Sequence, residues 1–221
     1  MFSNTTLYDC SNLNFGITYI KEGIRTFEGM FNNCIYMIRC PKILPATKLT
    51  ESCYASMFYG CAGLTTLPKL PATTLATFCY SSMFNGCISL KEIPSDWILP
   101  ATTLAAYCYS NMFIGCISLK EIPSDILPAT TLANSCYYSM FQNCTSLTTI
   151  PINLLPATTL AGSCYYSMFQ SCTSLTTIPN LPATTLTDSC YAGMFSGCKG
   201  LVEPPTGWYL PSTTLATKCY N

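Results

Sequence analysis

The 221-residue sequence contains no histidine. That removes the commonest general base, a frequent zinc ligand and the usual partner of a serine or cysteine nucleophile. Charge is scarce as well: Asp, Glu, Lys and Arg make up 9% of the chain, far below the roughly 25% of a typical soluble domain. Ten basic residues balance ten acidic ones, so no global field steers nucleic acid, and no nucleic-acid partner is expected. No apolar run reaches the ~18 residues of a membrane span, so no transmembrane segment is expected. The opening "MFSNTTLYDC" lacks a basic region followed by an apolar one, and no signal peptide is read there. With charge so rare, the polar surface falls to Thr, Ser and Asn. That composition fits an extracellular, cell-surface or virion protein, with the export route not visible in the sequence.

What the chain does contain is one unit written many times. Met-Phe recurs with its methionine at Met30, Met57, Met83, Met112, Met140, Met168 and Met194, at spacings of 27, 26, 29, 28, 28 and 26. The length varies at one spot, between the Pro that ends one unit and the Leu-Pro that opens the next. Lys69 alone stands between Pro68 and Leu70, "SDWI" follows Pro94, and "SDI" follows Pro123. Each spacing is 25 plus that insert, as in 25 + 1 = 26 and 25 + 4 = 29. A fixed unit with one elastic corner is what a stack of rungs requires. The repeated residues meet their copies in neighbouring rungs, and the variable spot is expected to meet only water.

The consensus reads L-P-A-T-T-L-A-x-x-C-Y-x-x-M-F-x-G-C-x-S-L-x-x-I-P. Cys79, Tyr80, Met83, Phe84 and Cys87 form an apolar stripe that predicts a short α-helix. Gly60, Gly86, Gly115 and Gly197 fit a left-handed residue near its end, with Asn143 and Ser171 in the same place. Leu90 and Ile93 are three apart and cannot both face inward on an ideal strand, so the chain is expected to arch there. The fold class is a leucine-rich-repeat-like, right-handed solenoid with short β-strands and a short helix per rung of 25–29 residues. Residues 1–29, with Thr26 where a Cys is expected, read as an irregular N-terminal cap. Residues 30–221 read as about seven stacked repeats, the last incomplete.

"MFNGCISLKEIP" and "MFIGCISLKEIP" resemble the Met-Phe-x-Gly-Cys-x-Ser-Leu units of the BspA-type leucine-rich repeat surface proteins. The resemblance covers residues from about 30 to 221 and implies an adhesin or surface binding protein. The "LPATTLAxxCY" half departs from that family, adding a second Cys and a Tyr to each rung.

Sixteen cysteines include six pairs spaced by eight: 53/61, 79/87, 108/116, 136/144, 164/172 and 190/198. On a helix eight residues rise ~12 Å, beyond the about 7 Å that a disulfide tolerates between Cα atoms. Two columns of buried thiols are therefore the first reading, and disulfides between rungs are the alternative. Without histidine or Cys-x-x-Cys, no metal and no cofactor are expected.

Candidate contact residues lie where a strict repeat lets residues vary. Lys91-Glu92 and Lys120-Glu121 become Thr148-Thr149 and Thr176-Thr177. Tyr138 and Tyr166 stand beside the Tyr54, Tyr80, Tyr109, Tyr137, Tyr165, Tyr191 and Tyr220 column, outside the helix stripe. The column itself reads as inter-rung packing with wet hydroxyls, or alternatively as an aromatic strip for sugars or proteins. Pairs such as Thr73-Thr74 and Thr102-Thr103 form a hydroxyl array. Ice binding is disfavoured for it, because adjacent residues of a strand point to opposite faces.

Asp96 and Asp125 occupy corresponding corners and read as turn residues rather than a catalytic pair. No enzyme activity is expected. The expected function is a non-catalytic extracellular or surface binding protein presenting an extended face to a protein or glycan partner. The alternative is a structural subunit stacking head to tail into a filament or virion appendage. That expectation came from "MFSN" at one end and "LATKCYN" at the other, the two halves of one motif.

Overall fold

A computed structural model of the protein describes residues 1–17, 19–21 and 25–220. The repeats stack as successive rungs, and the described residues contain no helix. The short helix expected in every rung is replaced by a ribbon of overlapping turns, at residues 51–60, 77–86, 106–115, 134–143, 162–171 and 188–197.

The backbone bonding of one ribbon explains its stability. In 78–87 the amides alternate. Those of Cys79, Ser81, Met83, Asn85 and Cys87 donate three residues back, to Ala76, Phe78, Tyr80, Ser82 and Phe84. Those of Phe78, Tyr80, Ser82, Phe84 and Gly86 donate to carbonyls of Ala106, Cys108, Ser110, Met112 and Ile114 in the next rung. Every amide is used, half within the rung and half between rungs, which meets the requirement that buried backbone groups be paired.

This geometry needs a left-handed residue at every fourth position: Phe78 at φ 57°, Ser82 at 55° and Gly86 at 75°. The same positions of other rungs hold Ser52, Ser56 and Gly60, or Ser135, Ser139 and Asn143. The left-handed glycines expected at helix ends do adopt positive φ, as do Asn143 and Ser171, but they end turns, not helices.

A period of four buries one stripe. Cys79, Tyr80, Met83, Phe84 and Cys87 are all buried, as are their counterparts in the neighbouring rungs. Phe31, Phe58, Phe84, Phe113, Phe141, Phe169 and Phe195 stack in one column with centroids 5.3–5.8 Å apart. Tyrosines from Tyr54 to Tyr220 stack in a second, 5.6–5.8 Å apart. Each buried ring is worth about 1.5–3 kcal/mol by removal from water. Four of the column's hydroxyls are not wet, contrary to expectation: those of Tyr80, Tyr109, Tyr165 and Tyr191 are buried without a partner, whereas Tyr220 is exposed. Residues 1–29, expected as an irregular cap, share these columns: Phe2 stacks on Phe31 and Phe27 on Tyr54.

The sixteen cysteines are free and buried. The second cysteine of each rung has a definite partner. Cys87 Sγ donates to Phe58 O at 3.4 Å, Cys116 to Phe84 O at 3.2 Å, and Cys144 to Phe113 O at 3.2 Å. Each phenylalanine carbonyl already accepts an amide of its own rung. The thiol occupies the second lone pair, so a small weak donor fits where an aliphatic side chain would only fill space. Burial pushes the Cys61, Cys116, Cys136 and Cys172 thiols up to about 12. Such thiols are poor nucleophiles.

Two expectations about the rest of the rung change. The extended pieces amount to isolated parallel bridges, among them Lys48 to Thr74 and Thr103 to Thr131, not strands. Nor does the elastic corner meet only water. Lys69 and Asn180, the single-residue inserts, are exposed. The two-residue insert Lys42-Ile43 is exposed too, but the inserts of three or four residues at 95–98, 124–126 and 152–154 fold one apolar residue inward: Trp97, Ile126 and Leu154 are buried. Trp97 packs edge-on against Phe84 and Phe113, and its Nε1 donates to Pro68 O at 2.8 Å. Trp208 makes the same bond to Pro179 O at 3.2 Å. In both cases the four-residue tryptophan corner follows a one-residue corner and fills the space it leaves. The chain arches between Leu90 and Ile93, both buried, while Lys91 and Glu92 face solvent.

Candidate binding faces

The residues singled out for variation fall on two segments of the rung. Lys91, Lys120, Thr148 and Thr176 form one column, since the amides of Lys120, Thr148 and Thr176 each donate to the preceding member's carbonyl, at 3.2, 3.2 and 2.9 Å. Glu92, Glu121, Thr149 and Thr177 follow them in sequence, and Thr177 alone of the eight is half-buried.

Side-chain chemistry divides this face in two. Thr148 Oγ1 donates to Lys120 O at 3.4 Å and Thr176 Oγ1 to Thr148 O at 3.0 Å. Thr177 Oγ1 accepts from the Ile150 amide at 2.8 Å. These hydroxyls serve the backbone of the preceding rung. Lys91, Glu92, Lys120 and Glu121 are exposed, and no ion pair ties them down among the described residues. The charged half of the face is free to meet a partner, and the threonine half is partly spent on structure.

Tyr138 and Tyr166 belong to the ribbon. Their rings are half-buried and stack 4.8 Å apart at 1°. No hydrogen bond, ion pair or ring contact joins them to the Lys/Glu columns among the described residues. Burial raises the Tyr138 phenol pKa, with Tyr166 and Tyr107 adding to the shift.

Sequence reasoning missed a second exposed ring pair, Phe78 and Tyr107, whose centroids lie 4.7 Å apart. It also missed a ladder in which Gln142 Nε2 donates to Gln170 Oε1 at 2.8 Å. A signal was present: the ribbons at 77–86, 106–115, 134–143 and 162–171 lack Lys, Arg, Asp and Glu entirely.

The threonine pairs need a correction. Both residues are exposed in Thr73-Thr74, Thr102-Thr103, Thr130-Thr131, Thr158-Thr159 and Thr184-Thr185. The amides of Thr130 and Thr131 both donate to Thr102 O, at 3.3 and 3.2 Å, and those of Thr213 and Thr214 to Thr184 O. Two residues thus oppose one, as in a β-bulge, and strict alternation of side chains is lost. Adjacent threonines in these pairs therefore both reach solvent, contrary to the alternation expected of a regular strand.

Among the described residues no group of three or more Cys, Asp or Glu could hold a metal ion. Asp96 lies 3.6 Å from Lys69 Nζ at a fully solvated corner. No helix among the described residues is long and apolar enough to cross a membrane.

No family model matches the sequence, and no curated protein is similar to it. A crystal structure of a leucine-rich repeat protein from Bacteroides ovatus aligns with 86% of this chain and 63% of its own, at 18% identity and a TM-score of 0.25. A superposition that loose carries no argument, and the repeat architecture rests on the chain's own stacked columns.

Proposed function

We propose that this is a non-catalytic binding protein of the extracellular space, a cell surface or a virion, which presents an extended repeat face to a protein or glycan partner. The observation that carries the reading is the pairing of a rigid, fully hydrogen-bonded ribbon with exposed columns whose residues change from rung to rung. Such a frame places many side chains in register at little entropic cost on binding. Buried thiols with raised pKa values are compatible with an oxidising compartment, because the reactive thiolate is suppressed.

Purified protein applied to arrays of glycans and of extracellular proteins is expected to bind at least one class saturably. Absence of binding to every member would count against this function. The alternative is a structural subunit. Val202, Tyr209, Leu210 and Leu215 are large apolar side chains left exposed, and contact between copies of the protein would cover such groups. Light scattering across a concentration series separates the two: growing particles favour assembly, and a constant monomer favours binding.

A further inference from the structure

The ribbon face is unlike the rest of the surface. Its four central segments, 77–86, 106–115, 134–143 and 162–171, carry no charged residue, while Glu51 and Asp188 open the segments on either side of them. Across four consecutive rungs it displays Phe78, Tyr107, Tyr138 and Tyr166 in two stacked pairs. The Tyr107 amide donates to Asn134 O at 3.0 Å and the Asn111 amide to Tyr138 O at 2.7 Å, so the two pairs stand on directly bonded neighbouring rungs. Each of the four rings stacks on one aromatic partner, leaving its other face clear of any ring among the described residues. Phe78 and Tyr107 occupy left-handed positions, with φ of 57° and 55°, where other rungs place Ser52, Ser135, Ser163, Ser189 and, in the last, Lys218. The fold does not require aromatic residues there. Beside the rings, the Gln142–Gln170 bond leaves the Gln142 carbonyl and the Gln170 amide group available to a ligand.

We propose that this face binds a neutral polysaccharide lying along the stacking axis. The inference rests on the binding function above and names its ligand class and face. Three properties select that ligand. A charged chain would be desolvated against a surface with no countercharge, which is unfavourable. A protein patch of comparable size would bring charged side chains of its own, at roughly a quarter of its residues. A neutral sugar chain brings none. It offers apolar C–H faces to the aromatic rings and hydroxyls to the amides and serines. Because its chemistry repeats, it meets equivalent groups on successive rungs, and linked weak contacts multiply.

The test is retardation of the full chain in native gels containing β-glucan, galactomannan, xylan or, as the charged control, polygalacturonate. At least one neutral polysaccharide should retard the protein, and binding to it in solution should withstand high salt. The variant F78S/Y107S/Y138S/Y166S should bind about tenfold more weakly or worse, a loss of about 1.4 kcal/mol. Serine already occupies these positions in other rungs, at Ser52 and Ser135 for the first pair and Ser81 and Ser110 for the second. A thermal melt confirms that the variant folds. The variant K69S/D96S, at the exposed corner, should bind as the parent does. Equal binding by the ribbon variant overturns the proposal, as does loss of binding in K91T/E92T/K120T/E121T with the ribbon variant unaffected, which would place the ligand on the Lys/Glu columns. Retardation by polygalacturonate alone also overturns it. Binding to an extracellular protein but to no neutral polysaccharide overturns it while sparing the broader function. Binding to nothing overturns both.

Discussion

Two sides of each rung obey different rules. On the ribbon side, residues 107–116 use every amide in a fixed alternation, keep a left-handed residue at every fourth position and carry no charge. On the opposite side, between Leu119 and Leu127, inter-rung bonds are sparse, Lys and Glu are exposed, and the corner varies in length. The difference teaches where a repeat protein can change. A ribbon residue has obligations within its own rung and to both neighbours, so a shift there disturbs three rungs. A corner residue has few obligations beyond placing one apolar side chain inward.

The sharpest way to break this contrast is to insert one serine between Ser110 and Asn111. Met112, Phe113 and Cys116 would leave the period-four stripe, and amides that donate between rungs would trade places with those that donate within. Loss of the cooperative thermal transition is expected. A variant that melts like the parent would show that the ribbon is not fixed by its period.

Phe113→Ala comes next. The ring is buried between Phe84 and Phe141 and touches Trp97. Its removal should cost about 3–5 kcal/mol in chemical denaturation, as for other buried aromatics.

Alkaline pH should then expose the thiol columns. Cys61, Cys116, Cys136 and Cys172 are raised from an ordinary 9.0 to about 12, with burial the leading cause. A raised folded value stabilises fully below the unfolded value and is lost as pH rises through the folded one. Stability should therefore hold up to about pH 9 and fall between 9 and about 12. Each thiol that stays protonated only in the fold contributes a slope of about 1.4 kcal/mol per pH unit. Denaturation midpoints measured across that range check it, and a flat profile would mean that the thiols are accessible.

The smallest effect is expected at the corner. Inserting Gly-Ser-Gly between Ser124 and Asp125 doubles a three-residue insert, and loop closure then costs only about 0.6 kcal/mol. A loss above about 2 kcal/mol, the range of buried-core truncations, would show that the corner is as constrained as the ribbon.

Much of this architecture was legible in the sequence. The Met-Phe spacing places the rungs, and the stripe from Cys79 to Cys87 names buried residues that the structure does bury. The flexible corner was visible as the one place where length varies. Its inward turn was not, because "SDWI" and "SDI" do not reveal that the preceding rung leaves space for Trp97 or that Ile126 will fill the core. Of the candidate contacts, the Lys/Glu columns were found by their variation. Phe78 and Tyr107 were missed because the same positions elsewhere hold serine, and the helix assignment gave that position no special meaning.

By itself the sequence determined the repeat, its register and the identity of the core columns, because stacked copies of one unit must bury the same residues in every rung. Only the tertiary structure decided between helix and ribbon. Positions 0, 1, 4, 5 and 8 share a face at either 3.6 or 4 residues per turn. Over eight residues the two periods diverge by only about 80°, which apolar positions alone cannot resolve. What resolves them is where the amides go. A helix would send each one four residues back along its own chain. In this protein half of them find carbonyls in the next rung, and those carbonyls are in place only when the rungs are stacked.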